Sequence, residues 1–369
     1  MKRLLPLLTI LIFFFSACSG AGTPPASDTS ASASTTGQPS ANTSATSAIG
    51  RFQEYALPQT NSGLMRPAID HQGRVWFGEM GHNYLAVFDP QTQTFRQMTP
   101  PRGAAGIMGI SIASDNTIWF AEQYANYIGH YFPTTGQYQT YDLPKITTPD
   151  PSNKNNILTL PSAPNDTALD AQGNVWFTEL NADSIGMLNV KTGQFKQYPL
   201  TPTKSVQKLN PYGITVDGHG IVWFTEASSS RLGQLDPRTG AISYFAAQGN
   251  NNTLMEVTSD AQGNIWITAF DGYLLLKFDP VTERFTSYYA PHATNGTGAL
   301  YGLVAAPDGA IWVTVAAENV VARLDETTGR FVYYPIPTRD SSPLGIVMGS
   351  DHTLWFTEAS SDKIGRLQP

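Results

Sequence analysis

All seven tryptophans of this 369-residue chain stand in one recurring motif: Trp76, Trp119, Trp176, Trp223, Trp266, Trp312 and Trp355. They are spaced by 43, 57, 47, 43, 46 and 43 residues, and each follows a β-branched or aliphatic residue, from Val75 to Leu354. Self-similarity at a period of about 40–45 residues is the signature of a β-propeller. The expected fold is all-β: a seven-bladed β-propeller of four-stranded antiparallel blades. With 32 Gly, 26 Pro and only 14 % charged residues, the composition suits many short strands joined by tight turns.

One repeat can be read directly. Pro211-Tyr212-Gly213-Ile214-Thr215-Val216 is the first strand, Ile221 to Glu226 the second, Arg231 to Leu235 the third and Ala241 to Phe245 the fourth. Turn chemistry separates them, as in Asp217-Gly218-His219-Gly220 and Asp236-Pro237-Arg238-Thr239-Gly240. His71, His219 and His352 fall in such first turns and read as structural. Six outer strands follow six of the tryptophans, but the chain ends soon after Trp355. Arg51-Phe52-Gln53-Glu54-Tyr55 is the missing outer strand, expected to join the last blade and close the ring. Each Trp is expected to pack between neighbouring blades.

The N-terminus reads differently. Lys2 and Arg3 precede an apolar run from Leu4 to Phe15, then Ser16-Ala17-Cys18. Residues 1–18 read as a lipoprotein signal peptide with a lipobox, and Cys18, the only cysteine, as the lipidated residue. The alternative is an ordinary signal peptide with an incidental Cys. Residues 19–48 are Ser, Thr, Ala, Gly, Pro and Asn with one charge, Asp28, and read as a flexible tether. Residues 49–369 form the propeller. The protein is expected to be exported, held to the membrane by its lipid alone, and monomeric. A formal charge of −7, with no basic patch, excludes nucleic acid as a partner.

The opening of each first strand pairs with the residue three after each Trp, near the central channel. That second position reads Glu79, Glu122, Glu179, Glu226, Ala269, Val315 and Glu358, an acidic rim with one apolar sector, in which each Glu either meets a ligand or cation or accepts hydrogen bonds from nearby loop N–H groups and holds its blade together. The openings read Arg66-Pro67, Met108-Gly109, Asn165-Asp166, Tyr212-Gly213, Glu256, Tyr301-Gly302 and Leu344-Gly345. Such a mixed set suits an asymmetric ligand in a preformed channel. The expected ligand-binding residues are Arg66, Glu79, Glu122, Glu179, Tyr212, Glu226, Tyr301 and Glu358. Glu226 and Glu358 are the candidate metal ligands. His292 and Glu358 are the catalytic candidates, with His82 a further possible base. The insertion between Lys145 and Asn165 reads as a long loop on the same face, either a lid or a lengthened surface loop.

Trp176-Phe177-Thr178-Glu179 with Ile185-Gly186, and Trp355-Phe356-Thr357-Glu358 with Ile364-Gly365, resemble the repeats of the virginiamycin B (streptogramin B) lyases. The resemblance runs from about residue 51 to the end. It implies a seven-bladed propeller that opens a cyclic depsipeptide ester by elimination, with Mg²⁺ and a histidine base. The family's histidines stand in Pro-His-Gly-Ile or Pro-His-Ala-Ile at the first-strand opening. Here Leu344 and Tyr301 stand at those places, Ser342 replaces one Glu, and Glu358 matches the other. Three functions are therefore carried forward. The first is a propeller binding a small organic or peptide-like ligand, the second a metal-dependent enzyme (a divergent C–O lyase or a gluconolactonase-like lactonase), the third a protein-interaction platform. The cofactor expected is Mg²⁺ or another divalent cation, or none.

Overall fold

The computed structural model describes residues 46–102, 106–150, 152–153, 155–247, 252–291 and 300–369. The segment read as a leader, Cys18 and most of the segment read as a tether lie outside them. The described chain forms seven four-stranded antiparallel blades, numbered here by their tryptophans, with two short 3₁₀ turns. Blade 4 comprises Pro211–Val216, Val222–Glu226, Arg231–Leu235 and Ile242–Ala246. Blade 7 is made from both ends of the chain. Arg51–Ala56 runs antiparallel to Lys363–Gln368, with Arg51 opposite Gln368 and Ala56 opposite Lys363. This is the closure expected from the count of outer strands.

Two features go beyond that expectation. Thr46–Ser47, within the segment read as tether, adds a short parallel strand to the outer edge of blade 6, opposite Val332 and Tyr333. The insertion before Trp176 is a β-hairpin rather than a plain loop, with Lys145–Pro149 paired to Ile157–Pro161.

Each element of the Trp-Phe-Thr-Glu motif has a structural task. Every Trp packs against the blade that follows it. Trp76 sits among Ile110, Phe120 and Tyr131 of blade 2, Trp223 among Ile265, Ile267 and Phe278 of blade 5, and Trp355 among Val75, Phe77 and Phe88 of blade 1. In four blades the indole N–H donates to the Asp that opens the preceding turn, as from Trp76 to Asp70 at 2.7 Å and from Trp223 to Asp217 at 2.8 Å. The Phe needs space on the third strand. A Cβ on Gly186 or Gly233 would come within 2.1 Å of the Phe177 or Phe224 ring, so glycine faces phenylalanine there. Blades 5 and 6 carry Ile267 and Val313 instead, and there Leu276 and Ala322 fit.

The Thr stitches neighbouring blades together. Thr225 Oγ1 accepts from Gly213 N at 2.9 Å and donates to Met255 O of the next blade at 2.6 Å. Thr178, Thr268 and Thr314 make the same two bonds, onto Tyr212, Tyr301 and Leu344. Replacing Trp223, 1 % exposed, with Ala leaves an inter-blade cavity and an Asp217 carboxylate without its indole donor. The expected loss is about 3–5 kcal/mol of stability, read by urea unfolding; a loss under about 1 kcal/mol would show that the indole is not structural.

Candidate functional site

Every complete inner strand carries an irregularity near its start. Pro211 faces Glu226 and Ile214 faces Phe224, so Tyr212 and Gly213 bulge between these pairs. The second residue of this bulge is glycine in blades 2, 4, 6 and 7: Gly109, Gly213, Gly302 and Gly345. At the equivalent places in blades 1, 3 and 5 stand Arg66, Asp166 and Glu256. Each charged residue has a glycine beside it in the blade before. A Cβ on Gly345 would lie 2.8 Å from Arg66 Cα, one on Gly109 2.6 Å from Asp166 Cα, and one on Gly213 3.2 Å from Glu256 Cα.

These side chains meet where the inner strands converge. Arg66 Nε donates to Glu256 Oε1 and Oε2 at 2.8 and 3.0 Å, across 190 residues of sequence. Asp166 Oδ1 lies 3.7 Å from the same Nε. The guanidinium covers the Tyr212 ring, 4.8 Å from its centroid, and the Tyr212 and Tyr301 hydroxyls are bonded to each other at 2.6 Å. Asn165 is fully buried, donates to Tyr212 O at 2.9 Å and accepts from Gln123 at 3.2 Å. Five blades thus supply one charged and aromatic cluster.

Burial dominates its electrostatics. Loss of solvent pushes both Asp166 and Glu256 upward, against the pull of Arg66 in the other direction. The two carboxylates together keep Arg66 firmly cationic despite its own burial. Burial also raises both tyrosines, Tyr301 most strongly, so neither phenol ionises near neutral pH.

Four of the five glutamates show the second arrangement expected of them, hydrogen bonds within their own blades, though from side chains rather than loop N–H groups. Glu79, Glu122, Glu179, Glu226 and Glu358 are all at most 1 % exposed. Those with partners turn along their own blades. Gln97 donates to Glu79 at 2.7 Å, Ser184 and Gln197 donate to Glu179 at 2.7 and 2.8 Å, and Arg231 donates to Glu226 at 2.6 and 2.9 Å. Ser361 donates to Glu358 at 2.9 Å. The physical reason is that a buried carboxylate takes the nearest donors, and the third and outer strands supply them. Glu122 has no hydrogen-bond partner on either oxygen, and burial raises it to about 9. Glu358 rises to about 7, from burial above all.

Glu226 and Glu358 stand on blades 4 and 7 and do not come together. Among the described residues no three His, Cys, Asp or Glu side chains gather as metal ligands. The Mg²⁺ that the resemblance implies does not fit the residues at the matching positions. Leu344 offers no donor atom, Tyr301 is closed on Tyr212, and Glu358 has Oε2 engaged with Ser361, which leaves Oε1 as a single enclosed oxygen at these positions. His82 Nε2 lies 2.8 Å from Thr60 O. His292 falls outside the described residues. Of the expected ligand-binding set, the structure brings together Arg66, Tyr212 and Tyr301, and it adds Asp166 and Glu256, which only their place at strand openings had marked.

Comparison with known proteins agrees with this architecture. The sequence profile of the virginiamycin B lyase family matches residues 32–272 and 203–369. Virginiamycin B lyase from Staphylococcus aureus has a TM-score of 0.75 and 25 % identity, covering 87 % of this chain and 99 % of that one. A streptogramin B lyase structure has a TM-score of 0.75 and 26 % identity, covering 86 % of this chain and 97 % of that one. No curated protein sequence matches the chain significantly. With its profile matched across all seven blades, the chain belongs to the virginiamycin B lyase family.

Proposed function

We propose that this protein is an exported, Cys18-anchored propeller that binds a small organic or peptide-like ligand at the channel axis, without histidine-dependent ester elimination. One observation carries the reading. At the inner-strand positions where the family resemblance places imidazoles stand Leu344, an alkyl group, and Tyr301, a buried phenol bonded to Tyr212. Neither accepts a proton near neutral pH, so neither of these two positions supplies the base that the elimination needs. The polar groups converge instead from blades 1, 3, 4, 5 and 6. A guanidinium, two carboxyls and two phenols set among apolar side chains suit recognition of one oriented ligand. The leader and the Ser/Thr/Ala-rich segment support placement outside the cytoplasm.

Two assays test this. Incubation with a streptogramin B depsipeptide and Mg²⁺, followed by mass spectrometry, is expected to leave the macrocycle closed; a ring-opened product would overturn the reading in favour of a divergent lyase. A thermal-shift series is expected to respond to small ligands rather than to Mg²⁺, Ca²⁺, Mn²⁺ or EDTA, because only a molecule bound to the folded state stabilises it. A shift specific to one ion would favour the metal-dependent enzyme.

A further inference from the structure

Arg66 is 7 % exposed and its Nε is committed to Glu256, yet its Nη1 is enclosed without a hydrogen-bond partner. Nη2 lies 2.7 Å from Glu256 Oε1 but is not aligned for a hydrogen bond. Enclosed guanidinium N–H groups are costly to leave without an acceptor. The titratable groups facing this edge are Asp166 from blade 3, Tyr212 from blade 4, Glu256 from blade 5 and Tyr301 from blade 6. Blades 2 and 7 present Met108 and Leu344, which carry no charge. Each polar neighbour is already occupied. Asp166 accepts from the N–H groups of Thr167 and Ile214 at 2.9 and 3.2 Å, Glu256 is held by Nε, and the two phenols close on each other. The side chains of Arg66, Asp166 and Glu256 retain 9, 10 and 13 % exposure, so the cluster is not wholly sealed from solvent, although Nη1 and Nη2 themselves are enclosed.

We propose that the Nη edge of Arg66 docks the carboxylate of the ligand bound in this channel, and that this carboxylate binds together with one proton, which settles on the Asp166–Glu256 pair. The inference rests on reading the channel as a binding site. The planar edge of a guanidinium presents parallel N–H groups that match the two oxygens of a carboxylate, whereas a neutral carbonyl offers only one. Charge then requires the proton. With both carboxyls ionised, the three side chains already carry one net negative charge, and a further anion in an enclosed site is unfavourable unless a proton accompanies it. Burial has already moved Asp166 and Glu256 toward protonation, and the bound anion moves them further. Groups whose proton affinity rises on binding take up protons, so carboxylate affinity increases as pH falls, approaching about tenfold per pH unit.

The test is calorimetric titration of the full chain with N-acetylglycine and with its neutral amide, at several pH values and in buffers of different ionisation enthalpy. The acid is expected to bind saturably, to weaken toward about tenfold for each unit of rising pH, and to take up about one proton. The amide is expected not to compete. Glu256→Gln removes one negative charge and is expected to tighten acid binding at neutral pH and flatten its pH profile, which a purely structural Glu256 would not do. The double variant Arg66→Gln, Glu256→Gln removes both members of the couple, leaves Asp166 as the one remaining carboxyl and, if it melts normally, is expected to lose acid binding. Equal binding of acid and amide, pH-independent binding, or no binding of the acid would each overturn the inference. If the amide alone binds, the channel remains a ligand site and only the carboxylate assignment falls; if no small ligand binds, both readings fall.

Discussion

Deleting residues 49–58 is expected to unfold the propeller rather than trim its edge. Arg51–Ala56 is the outer strand of blade 7 and pairs along its whole length with Lys363–Gln368. Its side chains reach into two blades. Phe52 packs edge-on to Phe356 at 6.3 Å, while Tyr55 lies 6.1 Å from Trp355 and 4.5 Å from Phe88 of blade 1. Leu57, 8 % exposed, belongs to the cluster that joins blade 7 to blade 1. Glu54 accepts from Thr338 N at 3.1 Å, at the end of blade 6. At about 1.5–3 kcal/mol for a fully buried side chain, buried Leu57 with half-buried Phe52 and Tyr55 gives a loss of roughly 3–6 kcal/mol, before the lost strand pairing is counted. That alone reaches the lower part of the range for the whole stability of an ordinary domain, about 5–15 kcal/mol. The deletion also bares the third strand of blade 7 as a new sheet edge, which favours aggregation. Urea unfolding and size-exclusion of the deleted and intact proteins measure both effects. Matching midpoints and a monomeric peak would mean that the ring does not depend on this closure.

Closure was legible because it follows from a count: seven tryptophan strands but six outer strands after them, and one spare strand at Arg51. The Phe–Gly complementarity emerges only once the strands are paired: Gly129, Gly186, Gly233 and Gly365 each stand opposite a Phe, while Ala86 faces Phe77. The sequence leaves the direction of the glutamates open between a ligand-binding rim and hydrogen bonds that hold each blade together. Strand pairing puts Glu179 beside Pro164 near the axis, as expected, but pairing does not say where a side chain turns. The missing signal was a partner 18 residues later, because Gln97 serves Glu79 and Gln197 serves Glu179. Arg66, Asp166 and Glu256 were each visible at a strand opening, but their meeting depends on three blades converging across the axis. The sequence trace of that meeting is the place in the bulge held by glycine in the other four blades. The family motif therefore describes the scaffold, and the departures from glycine mark the site.

The protein is expected to lose stability as pH rises from about 5 toward 9, and Glu122→Gln to remove a large share of that loss. Glu122 is completely buried, and neither carboxylate oxygen has a hydrogen-bond partner. Its counterparts are served from the outer strand: Gln97 pairs with Ala86, and Gln197 with Gly186. The equivalent residue in blade 2 is Thr140, opposite Gly129; its side chain is shorter, and its hydroxyl accepts from Arg102 at 3.3 Å. Glu122 is left in an unpaired, desolvated place, and burial moves it from 4.5 to about 9. A carboxyl raised in the folded state holds a proton that the unfolded chain releases. Its contribution to stability is complete below about 4.5 and is lost progressively as pH climbs to about 9. The slope is about 1.4 kcal/mol per pH unit while the folded group stays protonated, a total of several kcal/mol. Glutamine keeps the shape without the charge, so the variant should be no more stable than the parent at pH 5 but clearly more stable at pH 9. Glu79, Glu179, Glu226 and Glu358 are raised as well, and they are common to both proteins, so the difference between the two curves isolates Glu122. Urea unfolding at half-unit pH steps gives both curves. Parallel curves would mean that Glu122 finds a partner or solvent in the folded protein; curves that diverge above pH 5 would confirm an enclosed carboxylic acid at the head of blade 2.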